Sequence, residues 1–235
     1  MKKLLMAIGI MVAFNSCDVL QQLPQTGGST GSVTQAEAAQ GIKEALSQGL
    51  VKATLQLNKQ DGFFGDAFYK ILLPPDAKKI ENALRTVGLG KSVDKAILQI
   101  NRGAEDAVGF AQPIFIDAIK QMTLTDAINI VKGGDTSATH YFRLKTMEKL
   151  TAAFVPVIKS SLDKVDATKY YGDIVNTYNN FPTTFKKINP DLPSFVTDRT
   201  TNALFDLVAK EEKNIRENPV ARTTDILKKV FGGLL

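Results

Sequence analysis

Residues 92–122 read SVDKAILQINRGAEDAVGFAQPIFIDAIKQM. Across them Val93, Ala96, Ile97, Ile100, Ala104, Ala107, Val108, Ala111, Phe115, Ala118, Ile119 and Met122 recur mostly three or four positions apart. That period lays them along one stripe of an α-helix, and no alternation of period two competes with it. Ser92 stands where a side-chain oxygen would accept the first free backbone N–H groups, so it reads as the N-cap. Pro113 predicts a kink, because it removes one helical hydrogen bond and crowds the turn before it. The alanines on the stripe let neighbouring helices come close, which puts this segment at the centre of the fold.

The flanking segments carry the same period. Upstream, Ile80, Ala83, Leu84 and Val87 make a short helix closed by Gly88, where a left-handed residue is commonly needed. Before it, Ile42, Leu46, Gly49, Leu50, Ala53 and Leu57 mark a helix from about Ala36 to Lys59, broken at Asp61-Gly62. Phe63, Phe64, Phe68, Ile71, Leu72 and Leu73, ended by Pro74-Pro75, read as a connector. Downstream, Thr123 with Asp126 resembles a capping box and opens a short helix that Gly133-Gly134 stops. Asp135 or Thr136 caps the next, which runs to about Ser161 and bends at Pro156. A helix over roughly Ala167 to Tyr178 precedes a proline-punctuated loop from Phe181 to Pro193. Ala203, Leu204, Leu207, Val208 and Ile215 mark a helix ending near Glu217, and Asn218-Pro219 opens a last one through Phe231. The expectation is an all-α fold: a single multi-helix bundle of about seven to eight helices with a kinked central helix.

The N-terminus carries an address. Lys2 and Lys3 precede an apolar run from Leu4 to Phe14, shorter than the roughly 20 residues a bilayer requires but of secretory signal length. The run ends in Asn15-Ser16-Cys17, which resembles the lipobox of bacterial lipoproteins, with Phe14 and Asn15 in place of the aliphatic and small residues of the strict pattern. That resemblance implies acylation of the Cys17 thiol, by palmitate among other chains, and removal of the segment before it. Cys17 is the only cysteine, so an exported body would hold no disulfide and no cysteine-based metal site. Gln21 to Val33 are polar, uncharged and Gly/Ser-rich, a composition expected to act as a tether. The expected organisation is therefore a signal peptide at 1–16, a lipidated N-terminus and flexible tether at 17–34, and a helical domain at 35–235. Val19-Leu20-Gln21-Gln22 lacks the acidic run associated with surface export, which favours the periplasmic face of the outer membrane in the bacterial cell envelope.

Composition excludes several function classes. The formal charge is +5, but without Lys2 and Lys3 the body holds 27 cations against 24 anions, interspersed. Nucleic acid is not an expected partner. His140 is the only histidine, and neither G-x-S-x-G nor H-E-x-x-H occurs, so no metal or cofactor is expected and an enzyme is the less favoured reading. Gly90-Lys91-Ser92 looks like the end of a P-loop, but Arg85 stands where that loop needs glycine. Gly133-Gly134-Asp135-Thr136-Ser137 could offer backbone N–H groups to an anion; Asp135 would repel one, and a structural turn is the favoured reading.

Charged residues inside apolar helices are the remaining candidates. Arg102 and Glu105 stand at (i, i+3) and Glu212 and Arg216 at (i, i+4), so each pair shares a helix face. Arg143 interrupts a third apolar stretch, and Arg222 lies just beyond the second pair. Such groups form surface or structural pairs more often than a ligand site.

Several segments together resemble the bacterial family catalogued as domain of unknown function 4197. They are Leu73-Pro74, Asn101 to Glu105, Met122 to Ala127, Gly134 to Arg143 and Glu211 to Pro219. The resemblance implies an exported helical protein, often a lipoprotein, and carries no activity. The function expected is a membrane-tethered helical domain that binds an envelope partner or an apolar ligand such as lipid. An envelope hydrolase using Glu105 and Glu212 is the alternative, and a structural spacer the third. An apolar cavity would favour the first, carboxylates about 5–10 Å apart across a groove the second, and a filled core the third.

Overall fold

The computed structural model describes residues 34–180, 182 and 184–232; the expected signal peptide, Cys17 and nearly all of the tether lie outside them. Nine α-helices and no strand occur among the described residues: α1 (Gln35–Leu57), α2 (Lys78–Thr86), α3 (Gly90–Val108), α4 (Ala111–Gln121), α5 (Leu124–Lys132), α6 (Ser137–Asp163), α7 (Ala167–Asn179), α8 (Leu192–Glu217) and α9 (Asp225–Gly232). The all-α bundle is as expected.

Local chemistry sets several ends. The Glu37 N–H donates to Thr34 Oγ1 at 3.2 Å and the Thr34 N–H to the Glu37 carboxylate at 2.9 Å, a reciprocal cap on α1. Thr123 and Asp126 do the same for α5, at 3.1 and 3.0 Å. Gly88 adopts φ 86°, as its place after α2 predicts. The Leu89 N–H then reaches the Leu84 carbonyl at 2.9 Å and the Gly88 N–H reaches Arg85 at 3.2 Å, which closes the helix.

Packing centres on α3, α6 and α8, with α1 laid against α8, α5, α9 and α4. Phe115 stacks on Phe142 with ring centroids 5.5 Å apart and meets Phe205 edge-on at 5.7 Å; all three are buried. Each such ring contributes about 2 kcal/mol by burial, before its aromatic contacts are counted. Gly103 lets α3 and α6 approach: a Cβ there would stand 3.0 Å from Ser161 Cβ and 3.3 Å from Ile158 Cα. No helix among the described residues is long and apolar enough to cross a membrane.

Four boundaries differ from expectation. The central helix is two, since Gly109 and Phe110 separate α3 from α4 and close the first with short-range bonds to Asp106 and Ala107. Pro113 thus falls in the first turn of α4, where its missing N–H has no helical partner to lose. Ser92 is not a cap: α3 begins at Gly90 after Leu89, with no side-chain cap. Asn218-Pro219 opens only a 3₁₀ turn, Pro219–Ala221, and α9 starts later. Finally, α8 begins at Leu192, directly after the capping Asp191. Its early turns bury Thr197, Thr200 and Thr201, whose hydroxyls donate back to carbonyls one turn earlier at 2.7–3.0 Å.

Candidate functional site

The connector between α1 and α2 is only partly closed by its own turns, the 3₁₀ turn Pro75–Ala77 among them, so α3 supplies further partners. Glu105, buried on α3, accepts from the N–H groups of Phe63 and Phe64 at 3.1 and 3.2 Å through Oε1. Its Oε2 accepts from Arg102 at 2.6 Å, and Arg102 also reaches Asp61 at 2.8 Å. Asp61 sits at φ 64°, turning the chain out of α1. One helical turn earlier Asn101, fully buried, brackets Ile71: Oδ1 accepts its N–H and Nδ2 donates to its carbonyl, both at 2.8 Å. Asn101 therefore does for Ile71 what a neighbouring strand would do. Arg102 and Glu105 come together as expected, but as a clamp on the connector.

Glu212 and Arg216 also pair, at 2.9 Å. The Glu212 carboxylate lies against the start of α6 and accepts from Ala138 N–H at 3.0 Å, Thr139 N–H at 2.8 Å and the Thr139 hydroxyl at 2.7 Å. The free N–H groups of a helix N-terminus attract an anion, and here the protein's own carboxylate takes that place. Arg216 spends its other bond on the Ile130 carbonyl at 3.1 Å, near the end of α5, while buried Arg222 donates to the carbonyls of Ile215 and Arg216 at 3.0 and 2.7 Å. The void beside Glu212 and Arg216 measures only about 10 Å³, room for a water at most. Glu105 and Glu212 share no partner, and neither faces a space that a substrate could enter.

Arg143 joins neither pair. It donates to the Asn202 side chain at 2.7 Å and lies 4.9 Å over the Phe205 ring, half-buried beside exposed His140. The two border a shallow groove with Thr136, Asn202 and Asp206. Asp206 is already engaged: Tyr69 donates to it at 2.6 Å and Lys210 pairs with it at 2.7 Å. Burial pushes its carboxyl up, but those two donors outweigh burial and hold it below the usual range.

The largely apolar opening lies elsewhere. Ile80 and Leu84 of α2, Val93 and Ala96 of α3, and Tyr170, Tyr171 and Ile174 of α7 line a cleft of about 470 Å³, with Leu73 and Leu192 also in its wall. The volume falls in the range typical of small-molecule sites, roughly 300–1,000 Å³. Ser92 and Lys95 stand among its lining residues and no carboxylate does. Burial, with Asp76 as the second cause, pushes the Tyr171 phenol up to about 12, so that wall stays uncharged at neutral pH. Sequence periodicity assigns Ile80 and Leu84 to a helix face; it gives no sign that the face is left partly uncovered.

Among the described residues no three His, Cys, Asp or Glu side chains cluster as a metal ion would require. A family model described as protein of unknown function (DUF4197) matches residues 32–232. No curated protein and no solved structure matches the chain.

Proposed function

The chain belongs to the DUF4197 family, and from that premise we propose that it is an exported bacterial lipoprotein, held at the outer membrane through acylated Cys17, whose helical domain takes up an apolar ligand such as a lipid chain. The observation that carries the ligand reading is the cleft of about 470 Å³ between α2, α3 and α7, lined by aliphatic and tyrosine side chains without a carboxylate. Burying an alkyl chain there yields about 0.8 kcal/mol per methylene, so several methylenes suffice for binding without a charged anchor. A hydrolase built on Glu105 and Glu212 draws no support, because both carboxylates are saturated by backbone N–H groups and arginines.

Two measurements test the parts separately. With a fluorescent fatty acid such as dansyl-undecanoate, the full chain is expected to give saturable binding that palmitate displaces. Ala96→Trp should fill the cleft and weaken that binding about tenfold or more, at a stability cost of about 1–3 kcal/mol that leaves the chain folded. Non-saturable binding, or full affinity in the tryptophan variant, would remove the ligand reading. For the anchor, cells grown with labelled palmitate should yield labelled protein in the membrane fraction, and Cys17→Ser should lose the label and leave that fraction. An unlabelled wild-type protein that retains Met1 would end it.

A further inference from the structure

The six arginines divide into two groups. Arg85, Arg102, Arg216 and Arg222 each hold carboxylates or backbone carbonyls. Arg143 and Arg199 form no ion pair among the described residues, and both border the open groove along α8. Arg143 keeps one hydrogen bond, to Asn202, and its guanidinium rests on Phe205; Arg199 lies 5.4 Å over the Phe195 ring. Phe195, Arg199, Asn202 and Asp206 follow one another along a single face of α8. Two openings, of about 690 and 490 Å³, have Asn202 and Asp206 in common, so they adjoin along α8 with Arg199 on one side of that strip and Arg143 on the other; the strip with its two flanks is the trough.

We propose that this trough is a phosphate-oxyanion site, with Arg143 and Arg199 as the two cations that grip the anion and Asn202 between them. Charge supports it. Both acids on the trough wall are already occupied, Glu81 by Lys78 and Arg85 and Asp206 by Lys210. Lys70, Arg143 and Arg199 have no carboxylate partner among the described residues, leaving a net positive surface. Pre-organisation supports it too: an aromatic ring lies under each guanidinium, and Arg143 makes a single hydrogen bond among the described residues, to Asn202, which leaves most of its N–H donors for a ligand. The start of α6 contributes no anion site of its own, since Glu212 fills it. The anion comes either from a soluble phosphomonoester or from a phospholipid headgroup, and the chemistry of the grip is shared.

Side-chain ¹H–¹⁵N spectra of the arginines read the site directly in the full chain. Titration with inorganic phosphate and with hexyl phosphate should move the Nε–H signals of Arg143 and Arg199 saturably while those of Arg216 and Arg222 stay put. If only phosphatidylcholine vesicles containing phosphatidate move them, and vesicles without it do not, the source is a headgroup. Arg199→Gln is exposed and should fold normally, yet weaken binding about tenfold; Arg143→Gln should do the same, and Arg143→Lys should weaken it less. Uniform small shifts across all arginines, or unchanged affinity in Arg199→Gln, would overturn the proposal. The cleft between α2, α3 and α7 is untouched by these variants, so dansyl-undecanoate binding should persist in both.

Discussion

Replacing Glu212 with glutamine is expected to destabilise the fold by about 3–5 kcal/mol, the usual consequence of removing one partner from a buried ion pair. The carboxylate receives three donors from the start of α6 and two from Arg216. Glutamine offers one acceptor oxygen and an NH₂ group that must face another donor. Either the first N–H groups of α6 or the Arg216 guanidinium, whose side chain is only 9% exposed, would be left without a partner. At this chain length each kcal/mol corresponds to roughly 2–4 °C, so the melting temperature should fall by about 6–20 °C. Glu217→Gln, an exposed neighbour on the same helix, should change stability by no more than about 0.5 kcal/mol. A Glu212→Gln variant as stable as that control would show that the carboxylate does not hold α6 and α8 together.

Asn101→Leu should produce the second large loss. The replacement keeps side-chain size and adds apolar surface, so a packing argument alone would expect little change. What it removes is the bracket on Ile71, whose N–H and carbonyl both become buried and unpartnered. Each such group costs roughly 1–3 kcal/mol, and two of them set an expected loss of about 2–6 kcal/mol in chemical unfolding. The damage should be local in origin: hydrogen exchange at Ile71 and limited proteolysis between residues 58 and 74 should accelerate more than exchange in the α6 core. Equal protection of Ile71 in both proteins would sink the explanation.

These two residues show where sequence legibility ends. Glu212 and Arg216 announce their pairing by spacing on one helix, and Arg102 and Glu105 do likewise. The structure confirms both pairs. Their third partners stand far along the chain, at the start of α6 and in the connector, where no spacing rule reaches. Asn101 is harder still, because a lone asparagine in a helix reads as a polar solvent position until Ile71 is seen beside it. Caps behave differently. Thr123 with Asp126 and Gly88 act within their own few residues, and all were legible. Ser92 misled because Leu89 and Gly90 already turn the chain. Pro113 located an interruption correctly but could not say whether the helix would bend or part at Gly109-Phe110. The early turns of α8 were hidden by threonines whose hydroxyls are satisfied inside the helix itself. The cleft had no signal, since an uncovered face and a covered one have the same periodicity.

The carboxylate that finishes α6 is made 73 or 74 residues after the N–H groups it receives. A growing chain therefore emerges with the front of its longest helix still solvated, and that end stays open until α8 has been synthesised and has docked. Contacts of such sequence separation slow folding, because the loop must close before the contact rewards it. A polypeptide terminated anywhere before residue 212 would lack the closure altogether, whichever of its earlier helices had formed.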